Sequence, residues 1–353
     1  MSQMLAEIRQ QPGALDKTLR SELRNFERLK KRLAGRPPRL IVLAARGTSD
    51  NAAQFARYLL EIATGIPVSL AAPSIFTLYN ARINFDNVLT VAISQSGEST
   101  DTNFVLDQAK AAGSLTIGIT NEPESTMAKM AEYVFCVRSG REKSVAATKT
   151  YTGQLLASYL LAWALGAPID LSDLYRLPEF AEQALDLAPQ IDAISERYTF
   201  MNRVVVLGRG LNYSNAFEFA LKLMETCYVV AERFSSADLM HGPIAMVESS
   251  FPVFLFTPPG VTWPGLHEML VKLEQLKADA TVITDLSNRD AISSAPRSIC
   301  LPFKLAKKGP LPVELYTPIP YIIPAQLFAA HLAAQKGIDP DRPRTLSKVT
   351  LTL

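Results

Sequence analysis

The strongest constraint on the fold is a recurring unit: a short uncharged apolar run that ends in a turn and leads into a helical pattern. Residues 40–44 read LIVLA, enter Arg46-Gly47-Thr48-Ser49, and precede a helical stretch from about Asn51 to Ala63. Residues 68–70 form a second short strand, and 88–93 a third that stops on the sequence SQSGEST at 94–100. A helix from about Asp101 to Ala112 and a strand at 115–120 follow. Apolar strands alternating with helices require a parallel sheet covered on both faces, because such strands have no polar side to turn to water. The pattern returns in the second half. Residues 203–207 enter Gly208-Arg209-Gly210 and a helix through about Val229, 252–256 enter TPPG at 257–260, and a helix near 265–277 leads to a strand at 280–284. The strands starting at Leu40, Val88 and Leu115 recur at Arg203, Pro252 and Ala280, offsets of 163–165 residues. The chain therefore reads as a duplicated α/β unit, each copy a doubly wound, three-layer domain with a parallel sheet flanked by helices.

Boundaries follow from the breaks in this pattern. A helical segment over 1–36 ends at Pro37-Pro38, a first domain covers 37–170, a polar helical connector 171–197, a second domain 198–336, and a proline-rich tail 337–353. Two domains suit a chain of 353 residues, which is long enough to bury a core without covalent staples. The longest apolar run, 155–169, is too short to span a bilayer, is broken by Gly166 and Pro168, and reads as a buried helix. The opening MSQMLAEIR has no apolar core of a secretory signal. A net charge of +2 gives no reason to expect a nucleic-acid or membrane partner. Cys136, Cys227 and Cys300 are widely spaced and form no C-x-x-C pair, which argues against a disulfide framework or zinc site and fits a reducing cytoplasm.

In an open parallel sheet, ligands bind at the carboxyl ends of the strands. Two such ends in the first half carry hydroxyls: Thr48 and Ser49 on one, and Ser94, Ser96 and Ser99 on the other. Gly47 and Gly97 permit tight turns, and each loop opens a helix whose first amides and dipole attract an anion. Helix capping alone would also place serine there. Five hydroxyls on two strand ends favour a phosphate monoester, and without a Walker lysine a nucleoside triphosphate is not expected. TPPG at 257–260 lacks these hydroxyls, so one phosphate site per chain is expected. His241, in the loop sequence LMHGP, is a general acid or base, or an ordinary surface or core histidine. Glu225, near the end of an apolar helix face, is a surface carboxylate or a partly buried base. Lys348 is a solvated tail charge, or an amine able to form a Schiff base if desolvated.

Together these residues resemble the SIS (sugar isomerase) family, and within it the isomerase half of glucosamine-6-phosphate synthase. The resemblance covers about 5–353 and rests on EIxxQPxAL at 7–15, RGTS at 46–49, SQSGES at 94–99 and VAATKxYTxQL at 145–155. It continues through GRG at 208–210, ALKLxE at 220–225, HGP at 241–243 and PRxLxK at 343–348. It implies two tandem SIS domains and a phosphosugar held by Ser94, Gln95, Ser96, Ser99 and Thr48, with Ser49, Val145 and Ala147 against the sugar. It implies that Glu225 moves a proton between C1 and C2, that His241 opens the ring from a neighbouring subunit of a homodimer, and that Lys348 forms a Schiff base or assists opening. In this reading the tail closes over the site, and no metal or organic cofactor is implied. The family's V-A-S-T-K is V-A-A-T-K here, with Ala147 in place of serine. The glutaminase half and its N-terminal cysteine are not expected in this chain, where residue 2 is Ser. The implied reaction is an isomerase/deaminase step from glucosamine 6-phosphate to fructose 6-phosphate and ammonia. Alternatives are a glutamine-independent synthase-like isomerase, a deglycase acting on an amine-linked fructose 6-phosphate, a plain phosphosugar isomerase, or a non-catalytic sugar-phosphate sensor.

Overall fold

The computed structural model describes residues 1–305, 309–346 and 348. The chain divides into two compact units. The first-sheet unit holds Gln10–Lys143, Lys149–Tyr175 and, from the tail, Leu346 and Lys348; the second-sheet unit holds Met1–Arg9, Ser144–Thr148 and Arg176–Thr345.

The first-sheet unit is built on β1 (Leu40–Ala44), β2 (Val68–Leu70), β3 (Val88–Ser94), β4 (Leu115–Thr120) and β5 (Tyr133–Cys136). Their order is β2-β1-β3-β4-β5 and every pairing is parallel. β1 lies along β3 with Leu40 opposite Val88 and Ala44 opposite Ala92. Every residue of β3 is buried, as a central strand covered on both faces must be. The helices Gln11–Leu33, Thr48–Thr64 and Lys149–Ala164 pack with one another in one layer, and Ser74–Thr77, Thr100–Ala111 and Thr126–Met130 form the other. Lys149–Ala164 holds the part of the apolar run up to Ala164 and is buried at 15 of its 16 residues; the expected buried helix stops there, before Gly166 and Pro168. A helix without a polar face has to lie between other elements.

The second-sheet unit repeats this plan with β6 (Arg203–Gly208), β7 (Val230–Ser235), β8 (Pro252–Phe256), β9 (Asp279–Asp285) and β10 (Arg297–Leu301). The order β10-β9-β8-β6-β7 is the first sheet's order read from the other end, again all parallel. Phe219, Phe254 and Phe328 meet edge to face at its centre, with ring centroids 4.8–5.7 Å apart. The doubly wound α/β fold expected from the alternation is thus present twice.

In each sheet the chain leaves two adjacent central strands, β1 and β3 or β6 and β8, toward opposite edges. That switch in direction opens a crevice at the carboxyl ends of those strands. The edge strands β5, β7 and β10 were not legible from apolar runs. β7 carries two adjacent exposed charges, Glu232 and Arg233, because an edge strand is only partly covered. The helix expected through Val229 stops at Cys227, where Tyr228 turns left-handed at φ 54°. The connector forms three short helices, Leu171–Leu174, Leu177–Leu185 and Ala188–Glu196. Among the described residues no helix is long and apolar enough to cross a membrane.

Candidate functional site

The candidate residues divide between the two units. In the first-sheet unit, Ser94 ends β3 and its hydroxyl accepts a hydrogen bond from the Gly97 N–H at 3.1 Å, closing a tight turn. Gly97 has φ +65°, and a Cβ there would lie 2.1 Å from Ser125 Oγ, so only glycine fits. The turn is clamped from outside. The Gly97 carbonyl accepts from Met127 N and Asn103 Nδ2, both at 3.0 Å, and the Gln95 carbonyl accepts from Asn121 N at 3.1 Å. Ser96 Oγ accepts from Glu98 N at 3.2 Å. Ser99 precedes the Thr100–Ala111 helix, yet its hydroxyl engages Thr102 Oγ1 at 3.0 Å and makes no side-chain cap. Simple capping therefore does not account for Ser99.

The neighbouring loop, after β1, starts the Thr48–Thr64 helix. Thr48 is half-buried, and Ser49 is buried with its hydroxyl accepting from Gln154 Nε2 at 2.9 Å. Arg46 ties the two loops together through Asp101, Nη2 to Oδ2 at 2.7 Å. Burial pushes the Asp50 carboxyl up, opposed by the nearby Arg46 charge. Hydroxyls, a left-handed glycine turn and the start of a 12-residue helix converge at the switch point of the first sheet, an arrangement suited to a phosphate monoester.

Lys348 reaches the same carboxyl edge. Asn121, just past β4, accepts from Ser139 N at 3.0 Å and donates to the Gly140 carbonyl at 2.9 Å. Two residues on, the fully buried Glu142 side chain accepts from Thr150 Oγ1 at 2.6 Å and from Lys348 Nζ at 3.2 Å.

In the second-sheet unit, Val145 and Ala147 are half-buried on a segment held at both ends. Ser144 N donates to Glu7 Oε2 at 3.1 Å, and the Thr148 carbonyl accepts from Gln326 Nε2 at 3.3 Å. Glu225 lies in the last turn of the Tyr213–Cys227 helix with its side chain 22% exposed. Lys222 Nζ sits 2.6 Å from Glu225 and 3.4 Å from Glu218, and both Lys222 and Glu218 side chains are fully buried. Burial alone would lower the Lys222 pKa, but the two carboxylates outweigh it and hold the group well above its usual value. His241 follows the short Ser236–Met240 helix and is exposed.

Glu225 and His241 are not brought together within their unit. The Tyr213–Cys227 helix starts at the carboxyl end of β6 and runs back, so Glu225 lies about 18 Å along it at 1.5 Å per residue. β7 then runs forward again before His241. The carboxylate and the imidazole thus belong to opposite ends of the second sheet.

Sequence reasoning singled out neither Lys222 nor Glu142. The signal for Lys222 was present: Glu218, Lys222 and Glu225 stand at i, i+4 and i+7 on one face of an otherwise apolar helix. Among the described residues no group of three or more His, Cys, Asp or Glu is placed to hold a metal ion. The thiols are poor nucleophiles: Cys227 is pushed up to about 11, chiefly by burial.

Comparison with known proteins agrees with the fold. The chain is 35% identical to glutamine–fructose-6-phosphate aminotransferase [isomerizing] of Methanothermobacter thermautotrophicus over 98% of its own length and 56% of that protein's, so it spans little more than half of the curated relatives it matches. It matches the structure of the C-terminal domain of glucosamine-fructose-6-phosphate aminotransferase from Francisella tularensis with a TM-score of 0.84 and 27% identity, covering 97% of this chain and 98% of that one. A glucosamine-6-phosphate deaminase from Thermotoga maritima shares the fold, with a TM-score of 0.76 at 22% identity over 99% of this chain and 100% of that one. The SIS domain model matches residues 36–164 and 199–335, one match on each sheet, and the chain belongs to the SIS domain family.

Proposed function

We propose that the chain is a phosphosugar aldose–ketose isomerase that converts glucosamine 6-phosphate and water to fructose 6-phosphate and ammonia. The observation that carries this reading is the clamped serine turn with its left-handed Gly97. Ser94, Gln95, Ser96, Ser99 and Thr48 would hold the phosphate, and Ser49, Val145 and Ala147 would face the sugar. His241 would open the ring. Glu225, oriented by Lys222, would remove the C2 proton of the open aldehyde and return it to C1. That transfer leaves a primary alcohol at C1 and an imine at C2. Water adds to the imine carbon and ammonia departs, giving the ketose. Lys348 would assist as an amine, either in ring opening or as a Schiff base with the ketose.

The separation of Glu225 and His241 along their own sheet supports a homodimer in which each imidazole serves the neighbouring subunit. An active preparation that sediments as a monomer would exclude that arrangement. The relatives named above support a phosphosugar as substrate, and the serine turn accounts for it physically.

The test is a coupled assay for ammonia and fructose 6-phosphate, run on the unmutated chain and on Glu225→Gln. The unmutated chain should release both products in equal amounts, and the variant should bind the phosphosugar while losing turnover by about 10²–10⁴-fold, the usual contribution of a general base. Binding by the unmutated chain without any turnover would favour a sensor. Isomerisation of phosphosugars without ammonia would remove the deaminase step alone.

A further inference from the structure

The duplication lets each part of the first crevice be followed to its counterpart in the second. The 163-residue offset that carries Leu40 onto Arg203 also carries Arg46 onto Arg209, Gly97 onto Gly260, Ser99 onto Thr262 and Asp101 onto Pro264. Gly97 and Gly260 both have positive φ, 65° and 112°, and both follow a central strand. The differences are as informative as the matches. Asp101 neutralises Arg46 in the first crevice, whereas proline stands in its place in the second. Among the described residues no hydrogen bond or ion pair engages the half-buried Arg209. The turn that would cradle a phosphate is filled from within the fold. Glu314 is 2% exposed and presses against Gly260, where a Cβ would lie 2.1 Å from Glu314 Oε2.

What stays open is the Arg209 side, a cavity of about 350 Å³ lined by Arg209, Ser236, His241, Thr262 and Glu268 among others. Ser236 is 2% exposed, and neither its hydroxyl nor that of Thr262 has a hydrogen-bond partner. Buried hydroxyls without partners are rare and costly. Here two of them share a cavity with an unneutralised guanidinium. Glu268 is exposed, and the Glu314 carboxyl lies behind Gly260, so a ligand entering this cavity meets Arg209 as its half-buried cation.

We propose that this cavity is a second anion-binding site, in which Arg209 pairs with the phosphate or carboxylate of a small metabolite and the Ser236 and Thr262 hydroxyls donate to it. The site departs from the expectation of one anion per chain, which considered only the TPPG turn and not the arginine opposite it. His241 lines the same cavity, so the test reads binding rather than turnover.

Inorganic phosphate and succinate are titrated calorimetrically into the full chain, into Arg209→Met, into Ser236→Ala and into Ser96→Ala. The full chain should take two phosphates per chain, or one phosphate and one succinate, according to which anion the second site prefers. Arg209→Met should weaken one of the two equivalents by at least ~10-fold, as expected on losing a charge-assisted pair. Ser236→Ala should weaken the same equivalent to a smaller degree, and it guards against a folding defect in the arginine variant. Ser96→Ala should affect only the other equivalent. A single equivalent indifferent to Arg209 and Ser236 overturns the proposal. A single equivalent that depends on Arg209 but not on Ser96 upholds it and instead removes the phosphate role of the serine turn.

Discussion

Lys222 offers the sharpest test of the physical reasoning, because its fully buried ammonium lies between two carboxylates at 2.6 and 3.4 Å. Lys222→Met keeps the length of the side chain and deletes its charge. Removing one member of a buried ionic group typically costs about 3–5 kcal/mol, since the remaining charge keeps its desolvation penalty and loses its attraction. In a unit of this size that corresponds to roughly 6–20 °C in Tm, at about 2–4 °C per kcal/mol. The pH dependence carries a sign. The Lys222 pKa is raised above its ordinary value of 10.5, so its contribution is fully present below 10.5 and is lost only as pH rises through the higher folded value. The unmutated chain should therefore keep this contribution from pH 5 to 9. In the variant, the buried Glu218 loses this ammonium and its carboxyl becomes easier to protonate, so the variant regains stability on acidification. Urea unfolding at pH 5 and pH 8 should show a large deficit at pH 8 that narrows at pH 5. Adding Glu218→Gln should recover part of the loss at pH 8. A deficit below about 1 kcal/mol at pH 8, or one that widens on acidification, would refute the account.

Two further outcomes follow from the loops. Gly97→Ala should abolish phosphate binding at the serine turn while leaving the rest of the first-sheet unit folded, because the added Cβ meets Ser125 Oγ in a left-handed turn that disfavours side chains by about 1–3 kcal/mol; unchanged affinity of the equivalent that depends on Ser96, by calorimetry, would count against the turn as the anchor. Burial raises the Glu314 carboxyl above its ordinary 4.5, opposed by the N–H groups of its own residue, Thr262 and Val261, so ionisation costs stability as pH rises through that range. Glu314→Gln should then gain stability relative to the unmutated chain between pH 4 and 7, and a thermal-melt difference independent of pH would contradict this.

The central strands were legible because burial on both faces leaves a continuous apolar run, as in Val88–Ser94. β7 was not, because Glu232 and Arg233 reach solvent there and break the run. The serine loop was visible as a motif, but its rigidity was not. Asn103, Asn121 and Met127 clamp the Gln95–Gly97 turn from other elements, and local sequence carries no mark of such partners. Glu142 looked like one more charge in the polar stretch SGREKS at 139–144. Its complete burial follows from Thr150 and Lys348 meeting it in three dimensions. Glu225 and His241 were both noticed, but their separation depends on the direction in which the helix and β7 run, which spacing alone leaves open.

The pairing of Glu142 with Lys348 also has a consequence in time. The partners are 206 residues apart in the chain. At about 5–20 residues per second, a ribosome needs roughly 10–40 s to go from one to the other. The first sheet can assemble during that interval, since β1 to β5 all precede Glu142. The contact between Glu142 and Lys348 at its carboxyl edge cannot, because Lys348 has yet to be made. A nascent chain would thus hold a folded sheet with this contact still unmade, and the amine proposed for catalysis would arrive well after the sheet it serves.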